Sequence, residues 1–288
     1  MKIQKYPIRN LLGESLFWDS DFNELMWTDI IGKKIWSFKN HKFNSWLFHE
    51  KVSWIMPIFE SDKFLIGFSH SIAIALRSNP VKFEIIKEFS FDDKNSRLND
   101  VCADSTGAIW FGSMSDNPVY NNNNPFFRMD SYFNIKVVDD GYCIANGPVI
   151  SLDERTLLHT DSFKREIYSF DVDIKKGEIS NKRLWKRFDI EEGIPDGMCF
   201  DSLGNLWVAM WGSGKISHFN KEGTLLKKID LPVLKVSNVC FGGANMNHLF
   251  VSSANLNDES NRYAGSLFDI NFKDVTGLSQ KKAKFLKL

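Results

Sequence analysis

The chain has 288 residues, 43% of them hydrophobic, which is enough to bury a large core, and we expect one domain over residues 1–288. Its 36 basic and 36 acidic side chains give a formal net charge of +0. No overall electric field therefore attracts it to nucleic acid or to an anionic membrane, and neither is an expected partner.

The N-terminal stretch MKIQKYPIRNLLGESLFWDS is interrupted by charges and by Pro7, unlike a secretory signal peptide. Elsewhere no apolar run is long enough to cross a bilayer, so we expect a cytoplasmic protein. The cysteines lack CxxC spacing and lie in apolar stretches, which predicts buried free thiols. Serine-hydrolase and HExxH metalloprotease chemistry have no matching motif. The four cysteines are Cys102, Cys143, Cys199 and Cys240.

A polar turn followed by a short hydrophobic run recurs six times along the chain, for example as DSTGAIWFGSM and DSLGNLWVAMW. The hydrophobic anchors of these repeats lie about 39 to 49 residues apart, the spacing expected of β-propeller blades. Runs such as KKIWSF, REIYSFDVD and GKISHFN follow the anchors and alternate apolar with polar residues. The anchors are Leu25, Phe64, Ile109, Leu157, Leu206 and Leu249.

These repeats predict an all-β, six-bladed β-propeller whose blades each have about four short antiparallel strands. The many aromatic residues are suited to packing between wedge-shaped blades. No convincing amphipathic helix is found, and the C-terminal strand AGSLFDINF is expected to close the ring against N-terminal strands. Closure would hide sheet edges that otherwise promote aggregation.

Counting back about 10 or 11 residues from each anchor reaches one position near the start of each blade's first strand. The first strands of a propeller line the central channel, so side chains at this position converge on the axis. Five of the six carry a side-chain oxygen. The six residues are Glu14, Trp54, Asn99, Asn146, Asp196 and Asn238.

Carboxylate and amide oxygens suit one hard divalent cation, and Ca²⁺, Mg²⁺, Mn²⁺, Zn²⁺ and Fe²⁺ all remain open. The alternative for each residue alone is a turn cap, because Asn and Asp cap turns through their side chains. Recurrence in register favours the cation. Glu14 favours it further, since its neighbours in LLGESLFWD are apolar and an unpaired buried charge is costly.

The stretches GESLFWDSDFNELMWTDI, SRLNDVCADSTGAIWFGSM, ANGPVISLDERTLLHTDSF and IPDGMCFDSLGNLWVAMW occur in this order along nearly the whole chain. Together they resemble the senescence-marker-protein/gluconolactonase family, also called luciferin-regenerating-enzyme-like. The resemblance implies a six-bladed propeller with one divalent metal ion, acting mostly on sugar lactones. GESL stands where the family usually has Gly-Glu-Gly-Pro, and the asparagine-rich segment 115–129, expected to overhang the channel mouth, also departs from the family pattern.

The resemblance also implies roles for individual residues. The family's metal ligands match Glu14, Asn146 and Asp196, and the substrate contacts of its Arg-x-Asn-Asp motif match Arg97 and Asn99. For Arg97 the alternative is a salt bridge with a nearby acid such as Asp100, which we otherwise expect to orient its neighbours.

Asp196 is the candidate general base as well as a metal ligand, because one carboxylate oxygen can bind the ion while the other faces the attacking water. The predicted activity is thus hydrolysis of a sugar lactone. Two alternatives stay open: a phosphotriesterase or non-sugar lactonase using the same ion, because P=O is polarised as C=O is, and a non-catalytic propeller that serves as a binding platform.

Overall fold

The computed structural model describes residues 2–117 and 123–286. Its strands form six four-stranded antiparallel sheets, and each sheet is one blade of a six-bladed β-propeller. The predicted fold is confirmed. Within residues 2–117 and 123–286 the single helical element is one 3-10 turn, Ile190–Glu192, between the fourth and fifth blades.

Blades 1 to 5 each use four consecutive strands, from the channel outwards, and blade 6 uses the last three strands with β1. The strands are β1 Lys2–Tyr6; β2 Gly13–Asp19, β3 Glu24–Asp29, β4 Lys34–Lys39 and β5 Lys42–Leu47 in blade 1; β6 Val52–Pro57, β7 Lys63–Phe68, β8 Ser71–Leu76 and β9 Phe83–Glu88 in blade 2; β10 Ser96–Ala103, β11 Ile109–Ser115, β12 Asn124–Met129 and β13 Ile135–Tyr142 in blade 3; β14 Ala145–Ile150, β15 Thr156–Asp161, β16 Glu166–Asp173 and β17 Glu178–Arg187 in blade 4; β18 Ile194–Phe200, β19 Leu206–Trp211, β20 Lys215–Phe219 and β21 Leu225–Asp230 in blade 5; and β22 Val236–Gly242, β23 His248–Ser253 and β24 Leu267–Asn271 in blade 6.

The two ends of the chain close the ring in blade 6. Strand β1 pairs antiparallel with β24, from Lys2 opposite Asn271 to Tyr6 opposite Leu267. This confirms the closure expected from AGSLFDINF. Because the first strand is the outer edge of the last blade, the ring cannot open without breaking that ladder.

In each blade the outermost strand is more exposed than the strands nearer the channel. Strands β2 and β3 are buried throughout, whereas the outer strand β5, KFNSWL, alternates between exposed and half-buried residues. Large aromatic side chains, among them Trp27, Trp54, Trp110 and Trp207, are fully buried between the blades. The abundance of aromatic residues therefore serves blade packing, where close fit stabilises the fold.

A segment after the last strand, residues 276–286, crosses the face of the propeller at which the inner strands end, and we call it the strap. It hydrogen-bonds through its backbone to Phe200, Met246 and Pro57 of blades 5, 6 and 2, and to Gly107 and Ser131 of blade 3. The side chain of Gln280 joins it to blade 1 through Leu16 and Trp18. The strap ties five blades together at one end of the channel.

Two expectations change in detail. Much of segment 115–129 is strand rather than loop, since Ser115 ends β11 and Asn124–Met129 forms β12; residues 118–122 of this segment lie outside the described residues. All four cysteines are free, but Cys102 is half-buried rather than buried. No helix of the described residues is long and apolar enough to span a bilayer.

Candidate metal and substrate site

All six inner strands have a bulge at the same level of the channel. The pairing of first with second strand skips residues after Glu14, Leu98, Asn146 and Pro195, and likewise before Trp54 and Asn238. A β-bulge interrupts the strict alternation of faces and re-aims the side chains beside it. The six positions found by counting along the sequence lie at or next to these bulges, which explains how a strand can turn them towards the axis.

Three carboxylates meet at this level. Burial, followed by the charge of Asp100, raises the pKa of Glu14 to about 8. Burial raises the pKa of Asp100 to about 6, against the lowering effect of its hydrogen bonds. The pKa of Asp196 is raised well above its usual range by burial first and by Glu14 and Asp100 next. Like charges held together out of water oppose ionisation, and the guanidinium of Arg97 offsets this only in part.

Asn146 links two of the predicted site residues. Its Nδ2 donates to Asp196 and its Oδ1 accepts from Nδ2 of Asn99 at 2.8 Å. Ser162 supports the same group, since its Oγ lies 3.3 Å from Asn146 Nδ2 and donates to the carbonyl of Pro195 at 2.7 Å. Asn99, Asn146 and Asp196 therefore form one connected chain of hydrogen bonds across blades 3, 4 and 5.

Arg97 adjoins this chain and is nearly fully buried. Its NH1 donates to Asn99 Oδ1 at 2.8 Å and to the carbonyl of Leu98 at 3.0 Å, while its Nε donates to Asp116 Oδ1 at 2.9 Å. Asp116 also pairs with Lys51, and both cations hold the pKa of Asp116 below its usual range although burial opposes them. The alternative of a salt bridge with a nearby acid is therefore present, but the acid is Asp116 rather than the Asp100 given as its example.

Two glycines let these groups approach closely. A Cβ on Gly197 would lie 2.3 Å from Nδ2 of Asn238, and a Cβ on Gly147 would lie 2.6 Å from the carbonyl oxygen of Asp196. Gly147 also has a φ of 49°, a backbone conformation that residues other than glycine rarely adopt. The Asn-Gly and Pro-Asp-Gly sequences are thus required by the geometry of the site as well as by turn formation.

The departure at GESL has a visible consequence. Ser15 occupies the left-handed region, with a φ of 53°, which glycine adopts without strain. In exchange its Oγ accepts a hydrogen bond from the backbone N–H of Ile55 at 3.3 Å. The backbone beside Glu14 therefore keeps its bulge although a serine stands there.

The donor set fits a hard divalent cation. Glu14 and Asp196 offer carboxylate oxygens, Asn146 offers an amide oxygen, and the excess negative charge would be neutralised by the ion. Over residues 2–117 and 123–286 no three His, Cys, Asp or Glu side chains form a ready-made ligand set, so an amide would have to complete it. The side-chain amide of Asn146 lies beside the Asp196 carboxylate, so the two would hold the ion together.

The structure brings all five predicted site residues to one end of the channel and adds Asp100, Asp116 and Asn238. Asp100 accepts hydrogen bonds from the backbone of Val101 and Gly147 and from Asn238, as expected of a residue that orients its neighbours. The bulge after Leu98 brings the Asp100 carboxylate close to Glu14 and Asp196, and strand alternation in the sequence does not predict this bulge. Asn238 is one of the six positions found by counting back from the blade anchors, and its amide also hydrogen-bonds Glu14. Asp116 is not one of these positions, so the repeat count does not identify it.

Comparisons with known proteins agree with this architecture. The profile of the SMP-30/Gluconolactonase/LRE-like region matches residues 12–255. Regucalcin from Gallus gallus is 30% identical over 284 residues, covering 94% of each chain. A luciferin-regenerating enzyme structure superposes with a TM-score of 0.93 at 28% identity over 99% of both chains. A gluconolactonase from Xanthomonas campestris has the same fold at 19% identity, with a TM-score of 0.76 over 94% of this chain and 89% of that one. The chain belongs to the SMP-30/gluconolactonase/LRE-like family.

Proposed function

We propose that the protein is a metal-dependent lactonase that opens a sugar lactone, as a gluconolactonase does. The observation that carries the proposal is the buried group of Glu14, Asp100 and Asp196 beside the donors of Arg97 and Asn99. Family membership supports it. A purely structural role gives no reason to bury three carboxylates together, since the charge of Asp100 raises the pKa of Glu14 and both raise the pKa of Asp196.

Glu14, Asn146 and Asp196 would hold the ion. When bound, a divalent cation supplies Lewis-acid polarisation of a carbonyl and lowers the pKa of water. The site needs this help because the nearby guanidinium of Arg97 already shares its charge with Asp116. The identity of the ion, among Ca²⁺, Zn²⁺, Mn²⁺, Mg²⁺ and Fe²⁺, belongs to the experiment below.

Asp196 is proposed as general base. Its carboxylate takes a proton from water as the water oxygen bonds to the lactone carbonyl carbon. The same proton then passes to the ring oxygen as the carbonyl carbon–oxygen bond breaks, leaving a hydroxy acid. Asp196 is 6% exposed, so bulk water competes little for this proton.

Arg97 and Asn99 are proposed to bind the sugar. Three of the five N–H bonds of Arg97 are directed at Leu98, Asn99 and Asp116, which fixes the plane of the guanidinium. A guanidinium fixed in this way can present its remaining N–H bonds to ring or hydroxyl oxygens with little loss of freedom. These polar donors favour a hydroxylated substrate over an apolar one.

The test is lactone-opening activity of protein stripped of metal and re-supplied with Ca²⁺, Mg²⁺, Mn²⁺, Zn²⁺ or Fe²⁺, against glucono-, galactono-, xylono- and arabinono-lactones. Expected is turnover that disappears on chelation and returns with at least one ion. Metal binding without turnover on these lactones would contradict the proposal and direct the search to phosphotriesters and non-sugar lactones. If no metal binds, the binding-platform alternative gains support.

A further inference from the structure

A cavity of about 260 Å³ lies in the channel behind the acidic cluster. Its roof is the side of Asp100, Asn238 and Ser15 that faces away from the channel mouth, and its floor is strap residues 278–281. The wall between roof and floor is largely apolar. Wall residues include Phe17, Met56, Val101, Cys102, Ile150 and Phe200.

The central polar groups of the roof and of the floor already have hydrogen-bond partners in the protein. In the roof, Asp100 accepts from Val101 N at 3.0 Å, from Gly147 N at 3.1 Å and from Asn238 at 3.3 Å. In the floor, Gln280 accepts from Trp18 N at 3.1 Å and donates to the carbonyl of Leu16 at 3.0 Å. A guest in this cavity is therefore recognised by shape and apolar contact.

The cavity lining beside blade 4 includes an exposed residue. The hydrogen bonds of the strap described above go to blades 5, 6, 1, 2 and 3, and the lining includes Ile150, Leu152 and Glu154 of blade 4. Leu152 is 66% exposed at this edge. Glu154 is turned aside, since its carboxylate accepts from the backbone N–H of Ser105 at 2.7 Å. The exposed lining at the strap end therefore includes the apolar Leu152 together with Ser279 and Lys281.

An apolar void of this size is unfavourable for water and large enough for a ligand. A cavity of about 150 Å³ lined by Leu, Ile and Phe stays dry and takes up a six-carbon ring. We propose that the channel cavity binds an uncharged aliphatic molecule of about eight to ten carbon atoms, such as a medium-chain alcohol. The cavity shares Asp100 and Asn238 with the acidic cluster, but the proposal does not depend on lactonase activity.

Calorimetric titration with 1-alkanols from butanol to dodecanol, on chelator-treated protein, tests the proposal. The expected result is one saturable site whose affinity rises roughly fourfold with each methylene, as burial of a CH₂ group requires, until the cavity is full at about ten carbons. Absence of saturable binding overturns the proposal. An affinity that keeps rising to dodecanol also overturns it, because that result describes general surface adsorption.

A filled cavity provides the matched test. The substitution Ile150→Trp places a large ring in the cavity, and alkanol affinity should fall at least tenfold, by about the burial of two or more methylenes. Leu203→Trp is the control, since Leu203 is 75% exposed in a turn of blade 5 and is not part of the lining. A cooperative thermal unfolding transition shows that each variant is folded. Equal alkanol affinity in the two folded variants overturns the proposal.

Cys102 gives a readout on the unmodified chain if Ile150→Trp fails to fold. Cys102 and Cys199 both line the cavity, but Cys102 is half-buried whereas Cys199 is buried. Burial raises the pKa of the Cys102 thiol well above its usual value, so the alkylation is run at alkaline pH. Saturating 1-octanol should slow alkylation of Cys102 by iodoacetamide at least threefold, measured by mass spectrometry with glutathione as internal reference. An unchanged ratio of Cys102 to glutathione alkylation overturns the proposal.

Discussion

Where the inner strands begin, bulges turn carboxylates and amides towards the channel axis; where the same strands end, apolar side chains and the strap enclose a cavity. The two ends also differ in backbone conformation. Ser15 and Gly147 have positive φ at the first end, whereas the second end is reached by regular strand pairing, as from Met198 to Phe200.

The difference shows where a repeated fold gives way to chemistry. Regular antiparallel pairing places side chains alternately and suffices for packing, but it cannot turn neighbouring residues to the same side. The bulge does so for Asn99 and Asp100, both of which contact residues of neighbouring blades at the site. At the acidic end, bulges interrupt the regular pairing and bring polar side chains together. At the strap end the strands stay regular, and a separate segment closes the channel.

The largest expected effect is at the acidic end. Asp196→Asn keeps the shape of the side chain but removes the base, so turnover should fall about 10²- to 10⁴-fold. Metal affinity should fall less, because one side-chain oxygen remains. Activity of the refilled protein and calorimetric metal binding measure the two quantities. Asp153→Asn, in an exposed turn, is the control, and equal losses of affinity and turnover in Asp196→Asn would reject the base role.

The residues of the acidic end can be predicted from the sequence only in part, because the bulges that orient them are not visible in strand alternation. Repeats of similar length fix the blade number, and the register count finds Glu14, Asn146 and Asp196, because each blade begins alike. Asp100 follows Asn99 directly, so strand alternation points it away from the channel, and only the bulge in the folded sheet corrects this. The link from Arg97 to Asp116 joins residues 19 apart across a hairpin, and no local pattern encodes it.

A buried histidine, His159, makes the stability of the whole fold depend on pH. His159 stacks on Phe126 and Phe170, and burial lowers its pKa to about 4. Between pH 6.5 and pH 4 the unfolded chain binds a proton that the folded chain does not. Stability is therefore retained above pH 6.5 and should fall by about 3 kcal/mol as pH drops to 4.

Urea unfolding at several pH values measures this dependence. His159→Asn should flatten the slope, since Nδ2 of asparagine can replace the ring N–H near the carbonyl of Thr160. His41→Asn is a matched control at an exposed turn and should leave the slope unchanged. A slope that persists in His159→Asn would place its cause elsewhere.

Crowding the bulge of blade 5 should damage the acidic end alone. Gly197→Ala forces Asn238 to move, because the new Cβ would lie 2.3 Å from its Nδ2 and 2.8 Å from its Cα. We expect a loss of about 1 to 3 kcal/mol in the free energy of unfolding and a clear loss of metal affinity.

The control for Gly197→Ala is Gly212→Ala. Gly212 has a φ of 85° and open space around its Cβ position, so alanine there adds conformational strain of about 1 kcal/mol without contact. Metal affinity should be unchanged in this variant. If both variants lose affinity alike, close packing of Gly197 on Asn238 is not what shapes the site.

Loosening the strap should affect stability and leave activity intact. Lys282 pairs with the fully buried Asp19 and with Asp21, and Arg77 also pairs with Asp19. Lys282→Ala leaves Asp19 with one cation, so we expect a loss of about 1 to 2 kcal/mol in thermal or urea unfolding. Exposed Lys281→Ala is the neighbouring control. Loss of lactone turnover in folded Lys282→Ala would show that the two ends are coupled.

The smallest expected effect is at the rim of the acidic end. Asp116 directs the guanidinium of Arg97 through the 2.9 Å hydrogen bond to Nε, and it is 40% exposed, so water screens the pair. Asp116→Asn should raise KM for the lactone about three- to tenfold with little change in kcat, because orientation of Arg97 is weakened while Asp196 is untouched. Lys51→Gln removes the other partner of Asp116 but keeps its bond to Arg97, and its KM should stay near that of the unmodified protein. A fall in kcat in Asp116→Asn would instead place Asp116 in the chemical step, and the rim would then belong to the catalytic group itself.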